Sequence, residues 1–316
     1  MMKINSATLL KEAYGKFCIP AINVSMPEQV YALFSTAQRM NAPFIIQTTP
    51  AAREYMHPVI LLNYVKAAAK LYPNVLFALH LDHGNESHIH DAIASGEYTS
   101  VMIDASHDPL EKNIERTKLI TTQAHLKNIS VEAELGVLSG VEDHLNIDEE
   151  NALYTNPADV EYFVKEAGCD SLAVAVGTSH GAYKFSGGKG LRFDLLKEIQ
   201  QRVPGFPIVL HGASSIDNEE VKRINATGGK IKEDAKGITE EEIRRAIPYG
   251  ICKLNIATDL RILWIRVFRE YFQNYPDQLD PLKPGIQYVE ELKKLFEKKF
   301  EILGNSNKTQ LYIKNL

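Results

Sequence analysis

Apolar runs and helix-period segments alternate eight times along this chain, and the apolar runs end on residues able to do chemistry. A short apolar run bounded by turn signals reads as a buried strand, and apolar residues at i, i+3, i+4 and i+7 read as one helix face. The strands expected on this basis are 18–24, 44–49, 75–81, 100–104, 129–135, 171–176, 206–210 and 251–256. The helices are 6–14, capped by Ser6, then 27–40, 59–71, 86–94, 110–126, 158–167, 193–203, 218–225 and 240–247, with a C-terminal helix over 289–303. In 59–71 the apolar face falls on Ile60, Tyr64, Ala67 and Leu71. Residues 136–152 carry two glycines and five acids with little period, and are expected as a long loop, commonly a lid or binding loop.

Such alternation fits an open doubly wound sheet or a closed (β/α)8 barrel. The open sheet would carry Gly-x-Gly-x-x-Gly after its first strand, where this chain has Asn23-Val24-Ser25, so the barrel is expected. A chain of 316 residues with 45% apolar content can fill either two ordinary domains or one such barrel. No linker or repeat divides it, so one α/β domain is expected over 1–303, with 304–316 as a polar tail. A barrel displays its chemistry at the C-terminal strand ends. Asn23, Thr49, Asp82 with His83, Asp104, Glu134, His180, His211 and Asn255 fall there in register.

The net charge of −5, with no run of Lys or Arg, argues against a nucleic-acid surface and leaves small ligands as partners. No run of about 18 apolar residues is present to span a membrane. The N-terminus lacks an apolar leader, which points to the cytoplasm. Three scattered cysteines, Cys18, Cys169 and Cys252, are expected as reduced structural thiols.

The densest chemistry is Leu79-His80-Leu81-Asp82-His83-Gly84. Alternate residues of a strand share a face, so His80 and Asp82 point one way while His83, at the turn, can point inward. A lone histidine is most often a satisfied core or solvated residue, as expected for His57, His88 and His90. Three imidazoles from three strand ends, His83, His180 and His211, are different: they suit a zinc site with an open position. Glu134 and Asp104 are near enough to serve as alternative oxygen ligands. Glycines follow His180 and His211 directly, which lets backbone N–H groups approach an anion. Asn255-Ile256-Ala257-Thr258 opens a helix whose free N–H groups favour phosphate.

His80-x-Asp82-His83-Gly84, Val131-Glu132-Ala133-Glu134-Leu135-Gly136, Gly140-x-Glu142-Asp143, Gly177-Thr178-Ser179-His180-Gly181-x-Tyr183-Lys184, His211-Gly212-Ala213-Ser214 and Asn255-x-x-Thr258-Asp259 together resemble the class II ketose-bisphosphate aldolases. The likeness runs in order over nearly the whole chain. It implies a zinc-dependent barrel, with a monovalent cation as activator, usually a homodimer or homotetramer. Such enzymes cleave fructose or tagatose 1,6-bisphosphate to glycerone phosphate and glyceraldehyde 3-phosphate. Carried over by position, His83, His180 and His211 would hold zinc, with Glu134 and Asp104 at its buried alternative position. Gly181, Gly212, Ala213, Ser214, Asn255, Ile256, Ala257 and Thr258 would hold the glycerone phosphate, and Asn23, Thr49, Lys184 and Arg261 would complete the substrate contacts. Retro-aldol cleavage leaves negative charge on the former ketone oxygen, which zinc stabilises as an enediolate. Asp82 would take the C4 hydroxyl proton, and Glu142 would serve C3.

Two departures bear on the substrate. The resembled family's Ser-x-Gly after strand two is Thr49-Pro50-Ala51 here, and Ala257 stands where fructose-bisphosphate members commonly have Asp and tagatose members Ala. Against that, Asp259-Leu260-Arg261, Gly228-Gly229-Lys230 and Gly237-Ile238 look like a fructose-bisphosphate subgroup, so fructose ranks first. A barrel amidohydrolase would need His-x-His after strand one, and a non-catalytic zinc and sugar-phosphate binder would not need Asp82 and Glu142. The run 260–272 is apolar on nearly every side, so either the C-terminal helix or a second subunit must cover it. A subunit there would bring Arg261 to its partner's distal phosphate, as the resemblance implies.

Overall fold

Strands buried on both faces need helices outside and a filled interior, and this chain supplies both. The computed structural model describes residues 2–137, 139–142, 145–147, 153–180, 190–214, 217–232 and 237–313, with 139–142, 145–147, 179 and 180 described by backbone alone. Eight strands form the barrel: β1 (Ile19–Asn23), β2 (Phe44–Thr48), β3 (Leu76–Gly84), β4 (Ser100–Ile103), β5 (Ser130–Leu135), β6 (Ser171–Val174), β7 (Ile208–Leu210) and β8 (Ile251–Ile256). Each pairs in parallel with its chain neighbour, and β8 pairs with β1 to close the ring. The single-domain (β/α)8 expectation holds.

Outside the ring, Phe34, Phe44 and Phe77 interlock with ring centroids 5.0 to 6.0 Å apart beneath the helix Pro27–Met40. Burying each ring stabilises the wall by roughly 1.5–3 kcal/mol. Inside, Ile19, Ala21, Ile45, Leu76, Ala78 and Cys252 pack with Leu9, Leu10 and Ala13 of the helix Ser6–Ala13, which fills the N-terminal end of the barrel. Toward the C-terminal end the interior turns polar, with Gln47, His80, Asp82, Glu132, Lys253 and Asn255 all buried.

Two register slips aim side chains into that polar layer. Between β3 and β4 the pairing runs Leu81↔Val101 and then Gly84↔Ile103, so β3 carries one extra residue. Between β7 and β8 it runs Ile208↔Ile251 and then Val209↔Lys253, so β8 does too. An extra residue bends the strand and re-aims its neighbours. The adjacent Asp82 and His83 can therefore both face the barrel mouth, and Cys252 and Lys253 can both face its interior.

Several local expectations are corrected. Asn5, not Ser6, caps the first helix by accepting from the Ala7 N–H, and the Ser6 hydroxyl instead meets Ser130 Oγ at 2.6 Å. The helix Pro58–Leu71 buries Leu61, Leu62, Val65, Ala68 and Ala69, while Ile60, Tyr64, Ala67 and Leu71 face outward. Two apolar stripes share that helix, and the wall took the one formed by Leu61, Leu62, Val65, Ala68 and Ala69. The expected loop after β5 contains strands Ser139–Glu142 and Leu145–Ile147, paired as an antiparallel hairpin. The C-terminal helix is longer than expected, Leu282–Ile302. In the expected polar tail, the helix Thr309–Ile313 buries Tyr312, whose hydroxyl donates to the Leu9 carbonyl at 2.9 Å.

The helix Thr258–Asn274 buries Leu260, Ile262, Leu263, Val267 and Tyr271 within its own chain, partly beneath Leu282–Ile302, as the Phe268–Tyr288 contact shows. Trp264 and Phe272 stay exposed. The interior apolar surface needed no second subunit. All three cysteines are buried free thiols, as expected. Among the described residues no helix is long and apolar enough to cross a membrane.

Gly136, just after β5, has φ +91°, and a Cβ there would lie 2.6 Å from Thr155 Oγ1 and 2.9 Å from the Leu153 carbonyl oxygen. Thr155 Oγ1 cannot yield freely, because it bonds both the Leu135 carbonyl and the Ala175 N–H. Gly136→Ala is expected to destabilise the fold by roughly 2–5 kcal/mol, combining backbone strain with overpacking. Equilibrium denaturant unfolding checks this, and an unchanged midpoint would contradict it.

Candidate active site

His83 has φ +47°, a left-handed conformation uncommon outside glycine. That turn lets its Nε2 face His211 Nδ1 at 3.0 Å, with the rings edge to face. His83 Nδ1 lies 3.2 Å from Asp104 Oδ2, and Asp104 also accepts from the Ser106 N–H and hydroxyl. Asp82, fully buried, accepts from Asn23 Nδ2 at 2.8 Å and from Asn255 Nδ2 at 3.1 Å. The Gln47 side-chain amide donates to Asn23 Oδ1 and holds that amide in place. Glu134 Oε2 lies 3.8 Å from His211 Nδ1.

Among the described residues three donor sets could hold a metal ion, each with its atoms within 4.8 Å of one another: Asp82, His83 and His211; His83, Asp104 and Glu134; and, deeper in the barrel, His80, Asp82 and Glu132. His83 belongs to the first two, with its Nε2 toward His211 and its Nδ1 toward Asp104. Two facing imidazole nitrogens backed by buried carboxylates fit a divalent borderline metal.

Beneath these lies a layer whose two charged residues, Glu132 and Lys253, sequence reasoning missed. Glu132 Oε1 accepts from His211 Nε2 at 2.8 Å, and Lys253 Nζ reaches Glu132 Oε2 at 2.7 Å. His80 Nδ1 meets Ser100 Oγ at 2.7 Å, while His80 Nε2 stands 4.0 Å from both Asp82 Oδ1 and Glu132 Oε2. The available signal was a charge inside an apolar strand, two residues before a site residue: Glu132 before Glu134, and Lys253 before Asn255.

Burial would raise the Glu132 carboxyl, but the Lys253 ammonium and the His211 hydrogen bond outweigh it and hold Glu132 well below its ordinary range. Burial likewise opposes ionisation of Asp104, and His83 and Ser106 overcome it. Burial lowers His211, against the pull of Glu132. For His80, burial first and Lys253 second bring its pKa from 6.5 to about 3. Between those values an unfolded chain takes up a proton at His80 that the folded chain refuses, so stability falls as the pH drops through that window. Glu132 and Asp104, both depressed, add a loss in the carboxylate range. The metal-free protein is therefore expected to unfold at lower denaturant near about pH 4.5 than near about pH 7. Equal midpoints at the two values would contradict this.

Gly212, at φ +60°, follows His211 and leads into the buried Ala213 and Ser214. Ile256 ends β8, and Ala257 provides no side-chain cap for the helix that begins at Thr258. The helix start follows β8 directly and so lies at the C-terminal strand ends, where free N–H groups favour an anion. Asn23, Thr49, Ala257 and Arg261 line one cavity of about 310 Å³ with Tyr55 and Met26. The Thr49 hydroxyl also caps the helix Pro50–Met56 through the Ala52 N–H.

The structure thus gathers Asn23, Asp82, His83, Asp104, Glu134, His211 and Asn255. Ser179–His180 forms a strand paired with Ser139–Gly140 in a small separate sheet, not in the barrel wall. The side chains of His180 and Glu142 lie outside the described residues, as do Gly181 and Lys184 entirely.

A family model described as fructose-bisphosphate aldolase class-II matches residues 4–308. The chain belongs to this family. It is 39% identical over 298 residues to a fructose-bisphosphate aldolase of Helicobacter pylori, covering 94% of this chain and 95% of that one. A fructose-bisphosphate aldolase of Treponema pallidum is 38% identical over 326 residues, covering 96% and 97%. The crystal structure of the YdjI aldolase from Escherichia coli K12 superposes with a TM-score of 0.76 at 27% identity, covering 98% of this chain and all of that one. The protein is accordingly a class II aldolase, a lyase of the metal-dependent kind.

Proposed function

We propose that this aldolase reversibly cleaves fructose 1,6-bisphosphate to glycerone phosphate and D-glyceraldehyde 3-phosphate, with zinc as its metal. The observation that carries the reading is the arrangement of Asp82: a buried carboxylate held by two amides beside two facing imidazoles. Zinc held by His83, His211 and His180 would supply Lewis acidity to the substrate's ketone oxygen. Asp82, positioned by Asn23 and Asn255, takes the C4 hydroxyl proton and returns it in the synthesis direction. Glu142 would serve the C3 proton, and Asp104 with Glu134 would supply oxygen ligands to the metal.

Gly181, Gly212, Ala213, Ser214 and the uncapped helix start at Asn255 to Thr258 would hold the glycerone phosphate, and Lys184 would complete the substrate contacts. Arg261 and Thr49, lining one cavity within one chain, suit the distal phosphate, since a planar guanidinium can bind phosphate bidentately. A homo-oligomer in the cytoplasm is the expected form, its second copy covering Trp264 and Phe272.

Purified protein with a coupled assay for triose phosphate tests this. Turnover of fructose 1,6-bisphosphate that exceeds turnover of tagatose 1,6-bisphosphate is the expected result, and no triose phosphate from either would overturn it. Arg261→Ala is expected to lower kcat/KM for a ketose bisphosphate about 10- to 100-fold, with little effect on a ketose monophosphate. Equal losses on both would remove Arg261 from the distal site.

A further inference from the structure

The interior of the barrel holds a chain of contacts that ends on a metal-ligand candidate. Lys253 Nζ contacts both oxygens of Glu132 at 3.0 and 2.7 Å, and Glu132 Oε1 meets His211 Nε2 at 2.8 Å. Lys253, Glu132 and His211 are each at least 98% buried. A second group competes for the same imidazole nitrogen: Asn255 Nδ2 lies 3.1 Å from His211 Nε2 and 3.1 Å from Asp82 Oδ1.

Those two neighbours of Nε2 demand opposite things. A carboxylate can only accept, so it requires Nε2–H and leaves the lone pair on Nδ1. An amide NH2 can only donate, so it requires the reverse tautomer, with an N–H on Nδ1. Only the first leaves His211 Nδ1 able to ligate; His83, whose Nδ1–H goes to Asp104 and which therefore presents a lone pair at Nε2, 3.0 Å from His211 Nδ1, sides with Asn255 in the metal-free chain. We propose that Glu132, ion-paired with Lys253, is a positioning residue that selects the metal-binding tautomer of His211 against the competing Asn255 amide and His83 lone pair. The slip that adds Cys252 to β8 is what turns Lys253 inward to do this. Neither Glu132 nor Lys253 touches substrate in this role. The proposal rests on the metal reading given under Proposed function.

Glu132→Gln separates the alternatives because it keeps shape and removes only the charge. Its amide oxygen is drawn to Lys253, so its NH2 turns to His211 Nε2 and imposes the wrong tautomer. Zinc affinity, measured by competition with a chromophoric chelator, is expected to fall about 10- to 100-fold. Adding Lys253→Met frees the amide oxygen to accept from His211, so the double variant is expected to regain most of that loss. A purely structural role would give no such recovery in zinc affinity.

The wild-type chain provides a test that needs no variant. In metal-free enzyme with 15N-labelled histidine, His211 is expected to show its proton on Nε2. A proton on Nδ1 overturns the proposal, and so does wild-type zinc affinity in Glu132→Gln. Failure of wild type itself to take up zinc at micromolar concentration would instead overturn the metal reading beneath it, and the proposal with it.

Discussion

His211→Ala is expected to abolish measurable cleavage and most metal binding while leaving the barrel folded. The imidazole is fully buried and serves two partners at once, His83 through Nδ1 and Glu132 through Nε2. Its loss removes one of the two described imidazoles in the donor set. A metal acting as Lewis acid is worth several kcal/mol of transition-state stabilisation, and each 1.36 kcal/mol is tenfold, so kcat/KM should drop about a thousandfold or more. The fold should survive because Glu132 keeps its ion pair with Lys253, and the wall is held by the outer aromatic and aliphatic core. Metal content after dialysis, the coupled assay and a circular dichroism melt check the three parts. Full activity in buffer with a strong chelator would refute the metal dependence.

Asp82→Ala is expected to divide chemistry from metal binding. General acid–base groups typically contribute about 10²- to 10⁴-fold, so kcat should fall by that much. Zinc uptake should remain, because the imidazoles opposite it are untouched and Asp82 accepts from Asn23 and Asn255. Those two amides lose their acceptor, a cost of about 1–3 kcal/mol per unsatisfied group that should appear as a modest fall in stability. KM should change less than kcat, as for a group that acts mainly in the transition state. A variant that loses metal yet regains activity in added zinc would make Asp82 a ligand and not a base.

The exposed Trp264 and Phe272 show how the same residues can be read in two ways. The apolar girth of 260–272 implied cover on every side, and one chain already provides most of it through Leu282–Ile302 and Asn218–Ala226. What is left for a partner is a narrower face. Arg261, on that helix, lines a cavity with Thr49 of its own chain. The Arg261→Ala comparison tests its part in a distal phosphate grip directly.

Local information was enough for the barrel. Strand and helix periods, turn residues and the polar strand ends are set within stretches of about ten residues, so eight strands and the positions of Asp82, His83, Asp104, Glu134, His211 and Asn255 could be read from order alone. Other features depended on how distant segments meet. The outward stripe of Pro58–Leu71 was decided by which face could approach the wall, a matter of packing and not of period. The turn at His83 follows from a one-residue mismatch with β4, and a single strand carries no record of its neighbour's register. Glu132 and Lys253 are 121 residues apart, and nothing local to either names the other. Closing the ring with a slip at Cys252 brings them together, and their pairing makes a lysine and a glutamate tolerable where apolar side chains would otherwise fill the barrel.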